Sequence, residues 1–113
     1  MQDLRVGILQ LDQVWQDKTA NYERISAKLK DSAKLDLLLL PEMFHTGFSM
    51  DIGFADNWQA SEGLQFLKEL AGSHQMAIYT SLMVKDGGKY FNRGVFVYPD
   101  GQVKSYDKRK AFG

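Results

Sequence analysis

The 113-residue sequence contains no cysteine. That excludes a disulfide framework, thiolate zinc sites and a cysteine nucleophile within these residues. Histidine is scarce as well: His45 and His74 stand far apart, without a second ligand at metal-binding spacing, and read as a loop residue and a helix-end residue at the surface. No sign of charge dominates, because fourteen Lys and Arg balance fourteen Asp and Glu. This balance argues against nucleic acid or an acidic membrane as partner. Long apolar runs are missing too: the longest is Leu37 to Pro41, against the roughly 20 residues a membrane-spanning helix needs. Met1 to Arg5 include no basic leader and no small-residue cleavage site, so the expected location is cytoplasmic.

What is present is ordinary globular composition, 44% hydrophobic, 25% charged and 12% aromatic. A chain of this length and make-up forms one domain at most and is long enough to bury a core. Basic residues gather late, in Lys104, Lys108, Arg109 and Lys110. Such a cluster is ordinarily a solvated strand end or loop.

Leu4 to Leu11 is apolar with only partial alternation, as expected of a strand buried on both faces. Between Asp17 and Ala33, Tyr22, Ile25, Leu29 and Ala33 recur at spacings of three and four, opposite Lys18, Glu23, Arg24, Lys28 and Lys30. That spacing predicts an amphipathic helix, with Asp17 or Thr19 as its cap. Leu37 to Leu40 predicts a second strand, closed by Pro41. Strand, helix and strand in this order form a right-handed βαβ unit with parallel strands. From Phe44 to Trp58 periodicity fails and Gly, Ser and Asp accumulate, which predicts a long loop. A second helix is expected from Ser61 to His74, with Leu64, Phe66, Leu67, Leu70 and Ala71 inward. Three strands follow, Met76 to Val84, Tyr90 to Tyr98 and Gln102 to Tyr106, separated by the turn sequences Asp86-Gly87-Gly88 and Pro99-Asp100-Gly101. The fold class is α/β: parallel at the start, an antiparallel meander at the end. Trp15, Trp58 and the methionines read as packing residues.

Open α/β sheets hold ligands at the carboxyl ends of their strands. Glu42 follows the second strand directly, where an apolar rim would desolvate its carboxylate and suit it to general-base work. Lys108 lies just past the last strand, where an ammonium can hold an oxyanion. The competing readings are a solvated turn carboxylate and a surface lysine.

The strings themselves resemble the nitrilase superfamily, the carbon–nitrogen hydrolases. Val6-Gly7-Ile8-Leu9-Gln10 is similar to the first strand of that family, and Leu37-Leu38-Leu39-Leu40-Pro41-Glu42-Met43-Phe44 resembles the signature whose glutamate is the general base. Tyr90-Phe91-Asn92-Arg93, Pro99-Asp100-Gly101 and Tyr106-Asp107-Lys108-Arg109-Lys110-Ala111-Phe112 resemble later family strings, the last containing the catalytic lysine. Lys110 and Ala111 stand where the family has histidine and leucine. Pro41 to Met50 looks most like the omega-amidase branch.

The resemblance implies part of a four-layer α-β-β-α sandwich, residues 1–113 being the N-terminal portion of a single hydrolase domain. It implies hydrolysis of small-molecule amides such as 2-oxoglutaramate by a Cys-Glu-Lys triad, with no metal or organic cofactor and a homodimer or higher homo-oligomer as the working form. Glu42 is then the general base and Lys108 the oxyanion partner, with His45 and Phe48 shaping the substrate pocket. The nucleophilic cysteine of the family lies on a later strand, beyond Gly113, so this stretch alone is expected to be inactive. A sandwich cut here would leave the inner face of one sheet bare. The rival expectations are a non-catalytic interaction module of the same fold and a nucleotide-binding α/β domain. The second lacks any Gly-x-Gly-x-x-Gly or Gly-Lys-Ser/Thr string.

Overall fold

A computed structural model of the protein describes residues 3–10, 17–30, 32–45 and 52–110. Trp15 and Phe48, among the residues singled out above, lie outside them. The first strand, β1, is Val6–Ile8. Helix α1 is Lys18–Lys30, started by Asp17, whose carboxylate accepts the Ala20 N–H at 3.0 Å. Asn21, Ile25 and Leu29 form its buried stripe. The helix stops at Lys30, so Ala33, expected on that stripe, is exposed beyond its end. Strand β2 is Leu37–Leu39.

The predicted loop from Phe44 to Trp58 holds more order than its composition suggested. Ile52–Phe54 and Trp58–Ala60 are single 3-10 turns, and Asp56–Asn57 forms a two-residue strand, β3. Helix α2 is Glu62–His74, capped by the Ser61 hydroxyl, which accepts the Leu64 N–H at 3.0 Å. It ends on Gln75 in the left-handed region, whose N–H returns to the carbonyls of the last turn.

Strands β4 (Ala77–Asp86), β5 (Lys89–Val97) and β6 (Val103–Lys110) form the meander. The β4–β5 turn is Gly87-Gly88 with φ of 58° and 79°, the paired positive values that a two-residue hairpin matched to strand twist demands. β6 runs four residues further than the Tyr106 end expected from sequence.

One mixed sheet results, in the order β1-β2-β4-β5-β6. β1, β2 and β4 are parallel neighbours, and β4, β5 and β6 are antiparallel. β3 joins β4 in parallel, Asp56 opposite Val84, further along β4 than the β2 pairing at Ala77 to Tyr79.

Register sorts the side chains. Leu38, Ile78, Leu82, Val84, Val95 and Val97 share one face with the helices, against Ile25, Leu29, Leu67, Leu70 and Ala71. Each Val, Leu or Ile side chain fully buried there contributes about 1.5–3 kcal/mol. Phe44 closes this layer, its ring 6.0 Å from those of Tyr22 and Phe66. On the opposite face Val6 is 46% exposed, Ile8 72% and Tyr106 54%, whereas Ser81, Met83 and Asn92 near its centre are buried.

Candidate functional site

β2, β4 and β6 point the same way, so their carboxyl ends share one edge of the sheet. Glu42 leaves the end of β2 in a turn built to hold it. Leu40 N–H still bonds the Tyr79 carbonyl at 3.0 Å. Thr80 Oγ1 then donates to the Pro41 carbonyl at 2.7 Å, and the Met43 N–H donates to Ser81 Oγ at 3.0 Å. Met43 has φ of 47°, a left-handed conformation that a residue with a Cβ adopts at a cost of about 1–3 kcal/mol. Its side chain is buried, so the surrounding packing over-determines the turn.

Lys108 reaches the same place from two strands further across the sheet. On β6, Asp107 pairs with Arg93 and Arg109 with Asn92, which leaves Lys108 with no partner on β5. It is therefore the extra residue of a β-bulge, a feature that breaks alternation and re-aims a side chain. Lys108 lies within β6, not past its end as expected, and the bulge lets it point away from its neighbours. The strand is fixed just before the bulge, on both of its faces. Arg93 Nε donates to Asp107 Oδ1 at 2.6 Å and Arg93 Nη1 to Asp86 Oδ2 at 2.9 Å, with the guanidinium over the Trp58 ring at 4.6 Å. Trp58 packs as expected, on a cation. On the other face, Tyr106 lies across Gly94, where a Cβ would sit 2.7 Å from its ring. Its hydroxyl meets that of Tyr79.

These devices bring Lys108 Nζ into direct hydrogen-bonded contact with Glu42 Oε1. The two residues singled out from sequence, 66 positions apart, form one site. The desolvation expected of Glu42 is not there in this chain. Its side chain is 49% exposed and that of Lys108 30%, and Glu42 has a counter-charge beside it instead of an apolar rim. Tyr79 belongs to the same neighbourhood and was missed in the sequence. Its hydrogen bond with Tyr106, then burial, then the charges of Tyr106 and Glu42 push its phenol up to about 12. The signal for it was available only through Tyr106, two residues before the lysine.

His45 differs from expectation. It is wholly buried, not a surface residue, because the Met43 turn folds it inward beside Phe44, ring centroids 5.3 Å apart. Its carbonyl accepts from Asn21 Nδ2 at 2.8 Å, and its Nε2 lies 3.4 Å from Asp56 Oδ1. His74 ends α2, half-buried, as placed. Among the described residues no group of three or more His, Asp or Glu side chains is arranged to hold a metal ion, and no helix is long and apolar enough to cross a membrane.

A cation in contact with a carboxylate at the carboxyl edge of the sheet can exchange a proton and stabilise a developing negative charge, which is acyl-transfer chemistry. Known proteins are similar to this chain in sequence and in fold. Residues 5–112 match the carbon–nitrogen hydrolase family model. The omega-amidase YafV of Escherichia coli strain K12 is 32% identical over 119 residues, and that of Yersinia enterocolitica 33% over 113. Each alignment takes in 99% of this chain and 43% of the relative, so the chain spans under half the length of these curated proteins. A CN-hydrolase superfamily protein from Xanthomonas campestris, solved with an arsenic adduct in its active site, superposes with a TM-score of 0.89 at 32% identity, covering 99% of this chain and 43% of that one. The sheet and helices described above are thus part of a nitrilase-type sandwich, and the chain belongs to the carbon–nitrogen hydrolase family.

Proposed function

We propose that the full-length gene product is an ω-amidase acting on 2-oxoglutaramate-like amides through a Cys-Glu-Lys triad, of which this chain supplies Glu42 and Lys108. The observation that carries the reading is the direct contact of those two side chains at the carboxyl edge of the sheet. In the proposed cycle a thiolate from beyond Gly113 attacks the amide carbon, and Glu42 takes the thiol proton. Lys108, with a backbone N–H, holds the tetrahedral oxyanion. Collapse breaks the C–N bond as Glu42 returns the proton to nitrogen, ammonia leaves, and a thioester remains. Water, deprotonated by Glu42, then releases the acid. The likeness to two YafV omega-amidases supports the ω-amide as substrate class. Residues 1–113 are the N-terminal portion of the catalytic domain and inactive alone. A cytoplasmic location and a homodimer belong to the same proposal.

The test is ammonia release by the full-length protein from 2-oxoglutaramate, glutamine, an N-acyl peptide amide and an aliphatic nitrile. The ω-amide should be turned over with a kcat/KM at least about 10-fold above the others, a gap of roughly 1.4 kcal/mol at the transition state. Equal or better turnover of the nitrile would remove the ω-amidase assignment. No turnover of any of them would favour a non-catalytic module of this fold.

A further inference from the structure

The proposed reaction has no use for a buried polar cluster around Asp56. Asp56, its side chain 3% exposed, accepts from four groups or lies beside them: Lys18 Nζ at 2.6 Å, Ser61 Oγ at 2.6 Å, the Gly63 N–H at 2.9 Å and His45 Nε2 at 3.4 Å. These come from α1, from the start of α2 and from the turn after Glu42. Burial opposes the Asp56 charge, but His45, Lys18 and Ser61 outweigh it and hold the carboxyl well below the usual carboxylate range. The cluster is closed tightly. A Cβ on Gly63 would sit 2.9 Å from Asp56 Oδ2 and 3.1 Å from His45 Cδ2. His45 has no exposed surface, and its ring nitrogens make no hydrogen bond among the described residues, so the Asp56 carboxylate is the nearest polar group shown for it.

A buried ion cluster is a poor way to gain stability, since well-packed apolar residues do as well or better. What such a cluster does provide is direction. The turn it borders is the one that holds Glu42: β4 fixes the Pro41 carbonyl and the Met43 N–H, and on the far side of Met43 the His45 carbonyl is held by Asn21 while the buried His45 ring packs with its Nε2 3.4 Å from Asp56. Met43, left-handed, lies between these anchors. We propose that Asp56 is a positioning residue: through His45 it keeps Met43 in the left-handed conformation and so sets the Glu42 carboxylate against Lys108. The inference rests on the catalytic reading of Glu42 given above.

The test uses the full-length gene product carrying Asp56→Asn, His45→Phe or both, with two readouts at a temperature well below melting. The first is kcat and KM for the ω-amide. Each single variant should lower kcat by about 10-fold or more with KM within about threefold, the scale expected when a reacting group is misplaced by around an ångström. The double variant should be no slower than the worse single, since residues acting through one contact are not additive. The second readout is amide hydrogen exchange at Met43, which should speed up about 10-fold or more while Ile78 and Leu82 in β4 stay protected. A variant that melts earlier yet keeps kcat and Met43 protection within twofold of wild type would make Asp56 a stabilising residue only and overturn the proposal, as would single effects that multiply. Should Asp56→Asn not fold, His45→Phe is held to the same two outcomes. The exchange readout needs no substrate. A wild-type protein inactive on every ω-amide would sink the amidase reading, while unchanged Met43 exchange in the variants would sink this one.

Discussion

Glu42→Gln in the full-length protein is expected to lower kcat for ω-amide hydrolysis by about 10²–10⁴-fold, the range that a positioned general base contributes. Glutamine keeps the length and shape of the side chain but cannot take a proton from a thiol or a water. The substitution also leaves Lys108 without its counter-charge. That second loss is small in energy, because both side chains are substantially exposed and an exposed pair contributes about 0–1 kcal/mol. The melting temperature should therefore stay within a few degrees, which separates lost chemistry from lost folding; about 1 kcal/mol corresponds to roughly 2–8 °C in domains of this range. Steady-state ammonia release beside a thermal melt checks both. A variant that retains the wild-type rate would remove the general-base role from Glu42.

Lys108→Met should cost about 10²–10³-fold in kcat, as the loss of one oxyanion donor does. Methionine preserves the reach of the chain and removes only the charge. Lys108→Arg should recover little of this, because a planar guanidinium cannot occupy the position of a compact ammonium at a bulge. The control lies on the same strand. Lys104 pairs with Phe96 in regular register and places its Nζ 5.9 Å from the Tyr98 ring, so Lys104→Met should leave kcat within about twofold, as a surface substitution remote from the chemistry does. Equal losses at both lysines would mean that the basic character of β6, and not the bulge, supplies the effect.

Much of this architecture is written in local pattern. The α1 stripe, the apolar β2 ending in Pro41, the α2 stripe behind Ser61 and the Gly87-Gly88 hairpin each declare themselves within a window of a few residues. The resemblance to family strings is what singled out Glu42 and Lys108. The misses fall where the cause is non-local. β3 is two polar residues, Asp56 and Asn57, made a strand only by the free edge of β4 beyond β2. The end of β6 was placed too early because Lys104 to Lys110 is mostly charged and its bulge destroys the period-two signal. His45 was placed at the surface because nothing in Phe44-His45-Thr46 shows that Asp56, Lys18 and the start of α2 converge on it. An acidic residue a few positions ahead of a Ser-capped helix was the one available hint, and it is a weak one. Glu42 was expected in an apolar rim because strand composition predicts where a rim lies, but not which cation reaches it.

The claim on which the account stands is that Glu42 and Lys108 work as one unit. The direct measurement is kcat/KM for the ω-amide in the full-length Glu42→Gln, Lys108→Met and doubly substituted proteins. Members of a catalytic unit are grossly non-additive, so the double variant is predicted to match the worse single within about threefold. A double variant slower by the product of the two single effects would contradict the account, because it would show two residues acting independently.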